Sequence, residues 1–152
     1  MKYSFAVTGY CLSLMMGSIQ AAEESVHCAI GHELKAALAG ITPGTTLHVS
    51  GICYGPIRLT SDDLLLIGST GDSKTVLQNA PFTAPQEIIS IIDASGIWLT
   101  GFEIRNGLTG ISATDDSSFT LHNIDLVDNT KNMALNNAST QLSNISIVTS
   151  NN

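Results

Sequence analysis

The sequence predicts an all-β solenoid in which each turn contains about 22 residues. Three segments in the second half repeat one pattern, and they read LTGFEIRNG, LHNIDLVDN and LSNISIVTS. They begin at Leu99, Leu121 and Leu142, which lie 22 and then 21 residues apart. A fixed period of this length is typical of stacked units that each bury an apolar face against the next. Gly and Asn punctuate the segments, which favours short strands and corners over helices.

A corner is predicted inside each repeat, between two short strands. Leu99 and Phe102 have opposite strand parity, so the chain must bend at Gly101 between them. Asn123 and Asn144 hold the same position in the next two repeats, and Gly and Asn tolerate left-handed backbone conformations. Stacked asparagines at such a corner are expected to hydrogen-bond to each other. A second column of bends is predicted at Gly107, Asn129 and Ser150.

A short helix over 33–39 (ELKAALA) is predicted to cap the first turn. Leu34, Ala37 and Leu38 fall on one helical stripe, and Gly40 ends it. A solenoid needs a cap because its first turn would otherwise expose an apolar floor and an unpaired strand edge. The segment 72–86 is predicted to interrupt the register, and the mature length allows about four or five turns. Strands are expected at 46–49, 57–59, 64–67, 75–77, 88–92, 97–100 and 102–105.

Residues 1–22 are predicted to be a secretory signal peptide, and 23–152 the β-helix domain. Lys2 supplies the positive charge, the run 5–19 is apolar, and Ala21 and Ala22 offer small residues for cleavage. The alternative is an uncleaved membrane anchor, for which the apolar run is near the lower length limit. We therefore expect a secreted or periplasmic protein with no membrane contact after cleavage. The sequence ends just after the third repeated segment, which leaves two interpretations: the chain is a relative truncated at its C-terminus, or another copy covers the open end.

Cys28 and Cys53 remain after signal removal, and an even number of cysteines in an exported chain predicts a disulfide. A metal site is the competing interpretation. The cysteines with His27, His32 and His48 lack the ligand spacing that zinc usually requires, so no metal site is expected. The formal net charge of −7, with six basic residues and no basic cluster, argues against nucleic acid as a partner.

The chain resembles the right-handed parallel β-helix proteins of the pectate-lyase-like (pectin-lyase-fold) superfamily. The resemblance rests on CAIGHELKAALAGITPGTTLHVSGIC, LTSDDLLLIGS and IWLTGFEIRNG, which are similar to the N-terminal cap and early turns of that fold. It implies a right-handed coil and covers about residues 26–150. It implies little about function, because the fold hosts lyases, hydrolases and non-catalytic modules.

Candidate catalytic residues follow from the predicted strand parity. If Phe102 and Ile104 point inward, then Glu103, Asp125 and Ser146 form one outward column. Two carboxylates on adjacent strands, with Arg105 beside them, suit either a glycosidase pair or a calcium-dependent lyase. The competing interpretation is a solvated ion pair between Glu103 and Arg105. No cofactor is expected in the non-catalytic case, and calcium is expected only if the chain acts as a lyase.

Other polar residues have plainer interpretations. Trp98, the sole tryptophan, is a candidate for stacking on a sugar ring, and the alternative is that it covers a strand edge. His122 is expected on the surface without a fixed partner. Acidic pairs at 62–63 and 115–116 are interpreted as turns. Polygalacturonases carry Asn-Thr-Asp, Gly-His-Gly and Arg-Ile-Lys elements, and this sequence contains none of them.

Two functions follow from these observations. The favoured one is an exported, non-catalytic β-helix that binds a polysaccharide or cell-surface glycan, or serves as a surface or assembly module. The alternative is the N-terminal part of a polysaccharide lyase or glycoside hydrolase that acts on a uronate polymer. Self-association through an open C-terminal turn is compatible with the first.

Overall fold

The computed structural model describes residues 21–69 and 74–150. One helix and twelve strands are formed within these residues. In chain order they are β1 (Glu23–Cys28), α1 (Glu33–Leu38), β2 (Thr46–Tyr54), β3 (Ile57–Leu59), β4 (Leu65–Ile67), β5 (Thr75–Gln78), β6 (Glu87–Ile92), β7 (Ile97–Thr100), β8 (Phe102–Arg105), β9 (Thr109–Thr114), β10 (Ser118–Val127), β11 (Lys131–Leu135) and β12 (Ser139–Val148).

The strands pair in parallel and wind into a β-solenoid of about six turns with roughly 22 residues per turn. The first face consists of β1, β4, β7 and the first halves of β2, β10 and β12. The second face consists of β5, β8 and the second halves of the same three long strands. These two faces share one sheet because β2, β10 and β12 run through the corner between them. The third face is a separate four-stranded sheet of β3, β6, β9 and β11.

The repeated segments stack as the period predicts. Leu99 is in register with Leu121, and Leu121 with Leu142. On the second face, Ile104 and Leu126 are paired in the same way. The predicted vertical stacking of successive repeats is therefore confirmed.

The interior consists of columns of aliphatic side chains, one residue per turn. Because parallel turns repeat the same strand parity, each column places its side chains directly on the one below. Full burial of one such side chain stabilises the fold by about 1.5–3 kcal/mol. The columns with fully buried members include Leu47, Leu66, Leu99 and Leu121 on the first face, and Ile57, Ile89 and Ile111 on the third.

The left-handed corner is also confirmed. Gly101, Asn123 and Asn144 have φ of 78°, 53° and 52°. The amide of Asn144 donates to the side-chain oxygen of Asn123 at 3.0 Å, which is the expected asparagine stack. The corner is thus stabilised both by tolerant residues and by a hydrogen bond between turns.

The second column of bends differs from the prediction by one residue. Asn106 and Asp128 adopt the left-handed conformation, with φ of 59° and 51°, rather than Gly107 and Asn129. Asn129 is buried instead and joins two turns: its Nδ2 donates to the carbonyl of Ile104 at 2.8 Å, and its Oδ1 accepts from the N–H of Gly107 at 2.9 Å. The side chain satisfies backbone groups that the bend removes from the strand ladder.

The N-terminal end differs from the prediction in two ways. β1 was not expected, and it pairs with the first half of β2, so a turn begins before the helix. The count of four or five turns was therefore too low. The predicted helix is present over Glu33–Leu38, and its Leu34 is completely buried against the coil. The disulfide between Cys28 and Cys53 is formed, and it joins the end of β1 to the second face of β2.

The spacing between turns is irregular in the first half. The column of Glu23, Thr46, Leu65, Trp98, Thr120 and Gln141 gives steps of 23, 19, 33, 22 and 21 residues. The longest step spans the predicted interruption at 72–86, although β5 lies within it and keeps its register with β8. The irregular loop after β5 therefore covers 79–86.

Most of the predicted signal peptide, residues 1–20, lies outside the described residues. Within the described part of the chain, no helix has both the length and the apolar character required to cross a membrane. The disulfide is consistent with an extracellular or periplasmic location.

Candidate functional site

The predicted carboxylate pair lies on the second face, on adjacent turns. Glu103 of β8 is in register with Asp125 of β10, and Asp125 with Ser146 of β12. Adjacent strands are about 4.8 Å apart. Arg105 lies two residues after Glu103 and so belongs to the same face. The fold thus brings together the three residues that the sequence singled out as candidates for catalysis.

Both carboxylates form ion pairs. Arg105 Nη1 lies 2.9 Å from Glu103 Oε1, and Lys74 Nζ lies 2.6 Å from Asp125 Oδ2. Arg105 Nε also donates to Gln78 Oε1 at 2.8 Å. The four charged side chains are between 25% and 35% exposed. They form a charge-balanced network at the surface, and none of them lines the grooves described below.

Lys74 and Gln78 were not expected in this cluster. Lys74 precedes its partner Asp125 by 51 residues in sequence and lies within the irregular 33-residue step. Only the register of β5 with β8 places Gln78 beside Arg105. The 22-residue period of the later repeats does not extend to Lys74 or Gln78, so it could not predict that either residue joins this cluster.

Trp98 lies on the first face with 47% of its surface exposed. Its register partners are Leu65 on the preceding turn and Thr120 on the next, and Gln141 follows Thr120. These side chains alternate with the buried leucine column and so face outward. A shallow groove of about 420 Å³ runs beside Trp98, Thr120 and Gln141, with Ser118 among its further polar lining residues. The indole therefore stands at the edge of an uncharged, hydroxyl- and amide-bearing groove.

A second groove, larger and missed in the sequence, lies on the third face. Its volume is about 530 Å³. We call it the third-face trough. Its polar and charged lining residues are Arg58, Glu87, Ser90, Ser112, Thr114, Lys131 and Asn136.

His122 and His48 lie on the first face, and each contacts a residue on an adjacent turn. His122 Nδ1 is 3.1 Å from Ser143 Oγ, on the adjacent turn, so this exposed side chain has a partner that the sequence did not predict. His48 Nε2 is 2.9 Å from Glu23 Oε1 in the same way. In the residues that the structure describes, no three His, Cys, Asp or Glu side chains are placed to hold a metal ion.

The acidic pairs lie at corners between the third and first faces. Asp115 and Asp116 are exposed, with φ of 57° and 60°. Asn137 Nδ2 donates to Asp116 Oδ1 at 2.6 Å. Asp62 Oδ1 accepts from the N–H of Ser95 at 2.8 Å. These carboxylates accept hydrogen bonds between turns, in the turn positions that the sequence predicts.

The last described turn is open on one side. In the part of the chain that the structure describes, β12 pairs only with β10. Leu142 is 52% and Ile147 61% exposed, whereas Leu121 and Leu126 on the preceding turn are fully buried. Self-association through this edge stays a prediction.

Comparison with known proteins gives no further assignment. No protein-family model, curated protein or solved structure matched the chain. The strand pairing shows a parallel β-solenoid, and the resemblance to the pectate-lyase-like superfamily stays a prediction.

Proposed function

We propose that this solenoid is an exported, non-catalytic module that binds a glycan along its first face. The proposal depends on one observation: Trp98 is half-exposed beside a groove of uncharged polar side chains. Binding sites for organic ligands combine an aromatic or apolar surface with a few polar groups that fix orientation. A flat indole suits the C–H face of a sugar ring, and hydroxyl and amide groups suit its hydroxyls.

The arrangement of the groove favours an extended ligand. Trp98, Thr120 and Gln141 occupy one register position on three successive turns. With about 4.8 Å between turns, the three side chains span about 10 Å along the solenoid axis. A linear saccharide lying parallel to the axis would contact all three at once. The absence of charge in this row favours a neutral segment of the glycan.

The ion pairs on the second face support the non-catalytic interpretation. A glycosidase pair needs two carboxylates free to reach opposite sides of one sugar linkage. Here Glu103 is engaged by Arg105, and Asp125 by Lys74. The lyase or hydrolase alternative keeps the same three residues as its candidates, with calcium as the ion that a lyase would require.

Binding to a panel of polysaccharides tests the proposal. The purified full chain is titrated with neutral and uronate oligosaccharides in isothermal titration calorimetry. We expect Trp98→Ala to weaken binding by about tenfold or more, because large aromatic contacts dominate such interfaces. Phe82→Ala is the matched control, since Phe82 is a fully exposed aromatic in the irregular loop 79–86.

Three results would overturn the proposal. The first is equal affinity of the Trp98→Ala variant and the wild-type chain. The second is no binding by the wild-type chain to any member of the panel. The third is depolymerisation of a uronate polymer by the wild-type chain with calcium, measured as unsaturated or reducing ends. Loss of that activity in Asp125→Asn would establish the enzymatic alternative.

A further inference from the structure

The floor of the third-face trough consists of three small side chains. Ser90, Ser112 and Ala134 occupy one register position on three successive turns, and Arg58 holds the same position on the turn before them. This row alternates with the buried isoleucine columns, so it faces outward. Ser90 and Ser112 are nevertheless only 6% and 7% exposed. Longer side chains on both sides therefore stand above these serines and form the walls of a channel.

Glu87 is held in a defined position on one wall. Its Oε2 accepts hydrogen bonds from Ser90 Oγ at 2.8 Å and from Ser112 Oγ at 3.0 Å. Two donors on adjacent turns restrain the carboxylate across the floor of the trough. An ionised carboxylate accepts up to about four hydrogen bonds, so Glu87 retains acceptor capacity for a ligand.

Two cations line the trough at its ends. Arg58 lies on the turn before Glu87, and Lys131 lies two turns after it. Three spacings of about 4.8 Å place the turns of Arg58 and Lys131 about 14 Å apart. Over residues 21–69 and 74–150, five side chains are Lys or Arg; Lys74 and Arg105 form salt bridges, whereas Lys35, Arg58 and Lys131 form none. In a chain with a net charge of −7, this groove is a local positive region.

We propose that the third-face trough binds an extended saccharide that carries negatively charged substituents. Arg58 and Lys131 bind the anionic groups, and Glu87 accepts hydrogen bonds from sugar hydroxyls between them. Carboxylate and sulfate substituents share this chemistry. The site goes beyond the proposed function, because it lies on another face from Trp98 and uses charge rather than aromatic stacking.

A saccharide fits the trough better than an acidic peptide. Extended peptides commonly bind by adding a strand to a free sheet edge. Both edges of β6 and both edges of β9 are already paired, so the floor offers no main-chain hydrogen bonds. The polar groups that line the trough are side-chain hydroxyls, an amide and charges, which match a polyhydroxylated ligand.

The test compares four probes on the full-length chain. They are a sulfated hexasaccharide, a uronate hexasaccharide, a neutral hexasaccharide and a poly-glutamate peptide of similar length. The variants are Arg58→Gln, Lys131→Gln and, as the matched loss of one positive charge on the second face, Lys74→Gln. Thermal unfolding of each variant establishes that it is folded.

We expect at least one anionic saccharide to bind more tightly than the neutral one. Arg58→Gln and Lys131→Gln should each weaken that binding about tenfold, since hydrogen bonds to charged groups are the strong ones. Lys74→Gln should change it less than twofold, and added salt should weaken it. The preferred substituent identifies whether carboxylate or sulfate is the recognised group.

Three results would overturn the inference. The first is that neither anionic saccharide binds, and the second is that the Arg58→Gln and Lys131→Gln variants bind as tightly as the wild type. The third is that poly-glutamate binds more tightly than the anionic saccharides. Trp98→Ala separates the two proposals, because it should leave the anionic probe bound. If Trp98→Ala loses affinity only for the neutral hexasaccharide, both proposed sites are supported. If its affinity for the neutral hexasaccharide is unchanged, only the proposed site on the first face is contradicted.

Discussion

Corner residues explain most of the unusual backbone conformations in this chain. Ten described residues other than glycine have positive φ, and nine of them are Asp or Asn. Their short polar side chains tolerate the left-handed conformation and hydrogen-bond locally. Several carboxylates that attract attention in the sequence, such as Asp115 and Asp116, therefore have a structural reason to be where they are.

Gly101 is the corner where backbone contact is closest. Its φ is 78°, and an added Cβ would lie 2.9 Å from the carbonyl oxygen of Gly68 on the preceding turn. Backbone atoms cannot move aside as a flexible side chain can. The position therefore requires glycine for two reasons, the conformation and the space.

Gly101→Ala should lower the free energy of unfolding by at least about 1–2 kcal/mol, the cost of left-handed backbone for a residue with a Cβ. Gly40→Ala is the control, because a Cβ there meets no atom within 4 Å. Urea denaturation of both variants measures the difference. Equal midpoints for the two variants would contradict the role of this corner.

The helix α1 depends on a carboxylate at its N-terminal end. The backbone N–H of Ile30 donates to Glu33 Oε1 at 2.9 Å, and that of Ala29 at 3.1 Å. The hydrogen bond from Ile30 has the largest effect on the pKa of Glu33 and holds it below its ordinary value of 4.5. The hydrogen bond from Ala29 acts in the same direction, whereas burial raises the pKa by less than the Ile30 hydrogen bond lowers it. The carboxylate therefore ties the loop after β1 to the helix.

The lowered pKa of Glu33 makes the cap sensitive to acid. A carboxyl group whose pKa is lower in the folded state stabilises the fold above its unfolded pKa, and the stabilisation is lost as the pH falls through the folded value. Glu33→Gln should therefore lower the melting temperature at pH 7 and have no effect at a pH well below 4.5. Melting curves between pH 7 and pH 3 measure this.

Glu24→Gln is the control for that experiment. Glu24 is an exposed carboxylate of β1 with no side-chain hydrogen bond to another described residue. Its replacement should leave the pH dependence of melting unchanged. A Glu33→Gln deficit that persists undiminished at pH 3 would show that the charge is not what stabilises the cap.

At the scale of the whole solenoid, the disulfide connects the first turn to the next. Cys28 and Cys53 are buried and 25 residues apart. The cross-linked loop contains α1, so the disulfide tethers the cap to the coil. It stabilises chiefly by restricting the unfolded chain, by about 3 kcal/mol in the chain-entropy account.

Cys28→Ser should lower the melting temperature by several degrees under non-reducing conditions. The double variant Cys28→Ser with Cys53→Ser controls for the reactivity of a single free thiol. Wild-type protein unfolded and refolded with a reductant should melt near the double variant. An unchanged melting temperature in both variants would rule out a stabilising role for the disulfide.

The regular half of the solenoid was predictable from individual residues. Leu99, Leu121 and Leu142 share a period, and Gly101 and Asn123 share a parity change, so local pattern alone indicates both stacking and corners. The first turn was missed because β1 reads EESVHC, in which most positions are polar and exposed. A strand that pairs along only one edge at the end of a coil needs little apolar patterning, and its neighbour supplies the hydrogen bonds.

The features of the candidate sites also divide into those that the sequence predicted and those that only the structure revealed. The sequence by itself determined the period, the corners and the outward column of Glu103 and Asp125, since each depends on spacing within or between regular repeats. It also determined the pairing of the cysteines, because only two remain after signal removal. Only the tertiary structure decided the partner of Asp125, the trough around Glu87 and the number of turns. The first two depend on how the irregular 33-residue step places β5 and β6 against the following turns, and no local periodicity encodes that placement. The number of turns depends on β1, because its pairing with β2 adds a turn before the helix.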